Sequence, residues 1–66
     1  MSTDAEELKL RLRKLNARAT QAKMDLHDLS EELPTNWEQI LPVAQRCHEA
    51  HALLMEARQM AAAAGI

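Results

Sequence analysis

Apolar residues recur at Ala5, Leu8, Leu12, Leu15, Ala19, Ala22, Leu26, Leu29 and Leu33, in steps that alternate between three and four. That alternation keeps one stripe on one side of an α-helix, whereas a strand needs a period of two. Neither Gly nor Pro interrupts it before Pro34, so the pattern predicts a helix over about 4–33. A second stripe of the same kind runs through Ile40, Val43, Cys47, Ala50, Leu54, Ala57, Ala61 and Ala64, and predicts another helix over about 40–64. The connection over about 34–39 is a turn, because Pro34 disfavours helical geometry at Leu33 and has no N–H to donate.

The ends of the helices carry their own signals. Thr3-Asp4-Ala5-Glu6 has the form of a capping box, and Asp4, Glu6 and Glu7 complement the positive end of the first helix dipole. Thr35-Asn36-Trp37-Glu38 has the form of a second one. Pro42 argues against a helix starting at Thr35, because it would remove a bond from the second turn. The regular helix is therefore expected to begin near Leu41 or Pro42. Trp37 is left in the connection, where it can cover the end of the core, and Leu33, Pro34 and Trp37 are the expected turn and packing residues. Gly65 is expected to act as the C-cap, and the Ala61–Ala64 run, with little to bury, is expected to fray.

Two helices joined by so few residues pack antiparallel. Folding at Pro34–Asn36 brings Leu29 near Val43, Leu26 near Cys47, Ala19 near Leu54, and Leu15 and Leu12 near Ala57 and Ala61. Large side chains then face small ones. The expected fold is all-α: a coiled-coil-like antiparallel two-helix hairpin, with residues 1–66 as a single domain. Weaker stripes remain outside the seam. Leu10, Ala17, Thr20, Met24 and His27 form one, and Leu41, Ala44, His48, His51, Met55 and Ala62 form the other. A chain of 66 residues with one Cys has a small core and no internal disulfide. Association into a four-helix-bundle-type homodimer, or a larger homo-oligomer, is the remaining route to stability.

Charge narrows the chemistry. The net charge of −2 is unlike that of a strongly basic nucleic-acid binder. No signal peptide or spanning segment is evident, so the sequence reads as cytoplasmic. Lys9, Arg11, Arg13, Lys14, Arg18 and Lys23 are spread around the first helix, and Trp37 is the sole aromatic residue. A solvated face is thus preferred over an RNA surface. Asp25, Asp28, Glu31 and Glu32 cluster at the negative end of the first helix, where like charge repels. They form either a solvated face or an attractor of a cation or basic partner. Beside them, His27 and Asp28 are candidate ligands for a divalent transition metal shared across a dimer interface. Cys47, His48 and His51 also share a helix face. Cys47 lies in the core seam, however, and no second Cys closes a zinc site. No nucleophile–base pair or glycine-rich phosphate loop is present, so no enzymatic activity is expected.

The stretch Asp25-Leu26-His27-Asp28-Leu29-Ser30-Glu31-Glu32-Leu33-Pro34-Thr35-Asn36-Trp37-Glu38-Gln39-Ile40, continued by Val43-Ala44, resembles a Rop-like family of unknown function encoded in nitrogen-fixation gene clusters. The resemblance implies a dimerising helical hairpin with an accessory role in nitrogen fixation. On that basis His27 corresponds to the family's characteristic His, and Leu33, Pro34 and Trp37 to its turn motif. His48 and His51 stand where relatives tend to carry aromatic residues. The implied partner is a nitrogenase-related protein or electron carrier. The alternatives are a Rop-like RNA-binding hairpin and a purely structural oligomerisation module.

Overall fold

The computed structural model describes residues 3–66, which form two long helices joined by a short turn. Helix α1 spans Thr3–Glu32 and α2 spans Ile40–Ala63, with a single 3-10 turn at Trp37–Gln39 between them. No strand occurs among the described residues. The hairpin is a rod of 52 × 14 × 12 Å, a length set by the rise of about 1.5 Å per helical residue.

The buried residues are Leu15, Ala19, Leu29, Val43, Ala50, Leu54, Ala57 and Ala61, and all of them belong to the two alternating stripes. Leu15, Ala19, Ala50, Leu54 and Ala57 form one cluster, against which Leu12 and Ala22 pack. Alanines from each helix let the partner backbone approach, and the leucines fill the space that remains. Residues near the turn depart from the pattern: Leu33 and Ile40 continue the stripes in register, yet both are exposed. Two helices supply only one layer of neighbours, which leaves these two side chains with little to cover them.

The helix ends differ in part from expectation. The first capping box falls on Thr3, whose side chain lies outside the described residues. The second does not form. Asn36 is the N-cap of the 3-10 turn and Gln39 that of α2, and neither makes a side-chain capping bond. Three backbone hydrogen bonds hold the connection instead: Thr35 N–H to Glu32 O (3.0 Å), Trp37 N–H to Pro34 O (3.3 Å) and Gln39 N–H to Asn36 O (2.9 Å). Asn36 turns the chain through a left-handed conformation, φ 62°, a region Asn tolerates better than most residues. The 3-10 turn lets α2 start at Ile40, where the apolar stripe begins and one or two residues ahead of the start near Leu41 or Pro42 that Pro42 suggested. Pro42 is then still within the first turn, where its missing N–H has no intrahelical partner to lose.

The far end of α2 closes at the expected glycine cap. Ala61 is buried, and Gly65 at φ 76° closes the helix. Gly65 N–H bonds to Ala62 O (3.2 Å) and Ile66 N–H to Ala61 O (2.9 Å). This pair of bonds is a Schellman motif.

Candidate functional site

The last two turns of α1 carry four carboxylates and no basic residue in the terminal turn. The structure divides this acidic cluster among three different partners. Asp25 accepts a hydrogen bond from Gln21 Nε2 at 2.9 Å. Glu32 accepts one from Asn36 Nδ2 at 3.3 Å, which ties the helix end to the turn. Asp28 and Glu31 both face His27.

His27 Nδ1 lies 3.7 Å from Asp28 Oδ1 and 3.8 Å from Glu31 Oε1. One donor atom from each of the three residues falls within 4.8 Å of the others. Tetrahedral metal–ligand bonds of about 2.0–2.2 Å place neighbouring donors about 3.3–3.6 Å apart, so these exposed side chains would have to draw together by up to about 1.5 Å to surround one ion. The side chains are 67 %, 70 % and 71 % exposed, which leaves coordination positions open to water or to a second macromolecule. Imidazole with two carboxylates is a mixed donor set suited to divalent transition metals. Helix spacing explains the Glu31 contact, one turn away at i+4, whereas Asp28, next in the chain, reaches the ring only through its side-chain rotamer. Ser30 lies between them but bonds back to the His27 carbonyl at 2.6 Å and so turns away from the group. Glu31 was not singled out as a ligand from the sequence, although its i+4 spacing from His27 was the available signal.

The remaining turn residues do not join this site. Trp37 is 62 % exposed and, within the chain, does not cover the end of the core. Cys47 and His51 do come together on α2. His51 Nδ1 lies 2.9 Å from the Cys47 carbonyl oxygen and 3.7 Å from its sulfur. Both are half-buried, and His48 is exposed one turn away. The basic residues of α1 are exposed around the helix.

A hairpin of this size, with its Pro–Trp turn and histidine-bearing helix end, has clear relatives. The Rop-like family model matches residues 3–65. The chain belongs to the Rop-like family. A UPF0437 protein of Azorhizobium caulinodans is 51 % identical over 57 residues, covering 86 % of this chain and 83 % of the relative. A Frankia alni relative, described as a UPF0437 protein in the nifX-nifW intergenic region, is 53 % identical over 49 residues, 74 % of this chain and 60 % of its own. A structural-genomics target solved by NMR superposes with a TM-score of 0.86 at 56 % identity, covering 96 % of this chain and 89 % of the other. These names describe a small helical family linked to nitrogen fixation and without an assigned reaction. No helix among the described residues of this Rop-like chain is long and apolar enough to cross a membrane.

Proposed function

We propose that this Rop-like hairpin is a non-enzymatic accessory protein of nitrogen fixation. In this reading it is a cytoplasmic homodimer that docks on a nitrogenase-related protein or electron carrier, with a divalent transition metal held at His27. The observation that carries the reading is the half-identical relative placed between nifX and nifW. Genes grouped in this way commonly serve one process.

Dimerisation rests on exposed surface. Leu10, Met24, Leu41, Leu53 and Met55 are all at least 40 % exposed, and apolar surface of this extent favours a covering partner. The metal reading rests on the convergence of His27, Asp28 and Glu31. Their exposure suits a site that bridges to a second macromolecule.

Affinity capture with the tagged chain from cells grown with and without fixed nitrogen tests the partner. Enrichment of a nitrogenase-related protein or electron carrier only under fixing conditions, reproduced with the two purified proteins, is the expected result. Equal recovery under both conditions, or no binding between purified partners, refutes the reading.

A further inference from the structure

The hairpin exposes more surface than a protein of its mass needs to. Its accessible area is 5190 Å², whereas a compact monomer of 7.4 kDa exposes about 4,200 Å². The excess of about 1,000 Å² is close to the roughly 800 Å² that each partner loses in a standard interface. A second copy of the chain is therefore an occupant of the right size.

The grooves along the hairpin differ in charge. One is bordered by Arg18, Asp25, Arg46 and Glu49, the next by Glu7, Arg11 and Lys14, and another by Arg13 and Arg58. The fourth follows α2 past Leu26 and is lined by Ala44, Cys47, His48, His51 and Met55, with no Asp, Glu, Lys or Arg. Interface centres are depleted of charge and enriched in Met, so this face is the one suited to a second copy.

Ala44, His48, His51 and Met55 are spaced four, three and four residues apart and share one side of α2. When two α2 helices cross antiparallel about a two-fold axis between His48 and His51, Ala44 meets the second copy's Met55. Small faces large at both ends, as interdigitation requires, and the contact is self-complementary. The same crossing brings four imidazoles to the axis.

The ring of His51 is already oriented for a ligand. Its Nδ1 lies 2.9 Å from the Cys47 carbonyl oxygen. A carbonyl can only accept, so Nδ1 is the donor in this contact and Nε2 is the ring nitrogen left to meet a ligand. Metal-bound histidines characteristically donate their other N–H to a backbone carbonyl or carboxylate in this way.

We infer that two copies associate through the charge-free face of α2 and hold a divalent transition metal of the zinc class on the two-fold axis, between His48 and His51 of each chain. The site is incomplete without the second copy, and it is separate from the group at His27. The inference rests on the homodimer reading above and adds the interface and a metal shared across it.

Sedimentation velocity of the full chain, with zinc or with chelator, tests the inference in the wild type, in His48→Gln/His51→Gln and in His27→Ala. The expected result is a wild-type dimer that zinc tightens at least about tenfold, with one zinc per two chains once the His27 group is removed. That effect should be absent from the double variant, with its helical circular dichroism unchanged, and retained in His27→Ala. A wild-type dimer indifferent to zinc, or a zinc effect that survives in the double variant, overturns the inference and leaves the dimer standing. A monomer under both conditions overturns both. Imidazole nitrogen NMR of the wild type settles the point without any variant: zinc must shift His48 and His51, and a shift confined to His27 refutes the assignment.

Discussion

Ile66 donates its backbone N–H to the Ala61 carbonyl across 2.9 Å, spanning a left-handed Gly65 at φ 76°. The bond ties the last residue of the chain to a buried position of the core. A Cβ on Gly65 would meet nothing within 4 Å, so any penalty there is conformational and not steric crowding. Gly65→Ala should destabilise the hairpin by about 1 kcal/mol, read from the urea midpoint of the helical signal. No change in the midpoint would mean that this cap contributes nothing.

The core makes a sharper prediction. Leu54 is 5 % exposed within the main cluster, whereas Met60, further along the same helix, is 57 % exposed. Leu54→Ala should lower stability by about 2–5 kcal/mol, and Met60→Ala by no more than about 0.5 kcal/mol. Thermal unfolding at one fixed protein concentration compares the two without interference from self-association. Similar losses would contradict the seam as described.

Two substitutions separate the roles of the turn residues. Asn36→Ala places an ordinary side chain at φ 62° and also removes the bond to Glu32. A loss of about 1–2 kcal/mol is expected, of which Asn36→Gly should recover a large part. Trp37→Ala should change stability by less than about 1 kcal/mol, far below the 3–5 kcal/mol typical of a buried Trp, because its ring is 62 % exposed. A larger loss on denaturant titration would show that the indole is covered in the assembled protein.

At the His27 group, the four acidic residues should not be equivalent. Calorimetric titration of a divalent transition metal should show weakened binding for His27→Ala, Asp28→Asn and Glu31→Gln. Asp25→Asn and Glu32→Gln should bind as the wild type does, since those carboxylates face Gln21 and Asn36. Equal effects of all four carboxylate changes would indicate general electrostatic attraction without a site. Performing the titration in His48→Gln/His51→Gln keeps the two histidine groups apart.

The chain's periodicity determined the helices and their buried faces. Steps of three and four keep each main stripe on one face of its helix, and every buried residue among those described falls on those stripes. The LPTNWE stretch likewise marked the turn and the family, because Pro, Asn and Trp at fixed spacing are far more specific than heptads. Tertiary structure decided what depends on exact direction. Whether Thr35 or Asn36 caps a helix turns on a few backbone angles that side-chain identity does not specify. Which of four neighbouring carboxylates faces His27 depends on rotamers and on competing partners at i±4, and three different pairings share the same spacing. His51 looked equivalent to His48 by position. Only the folded helix shows that its Nδ1 is held by a carbonyl one turn back, which leaves Nε2 free on a face without charge.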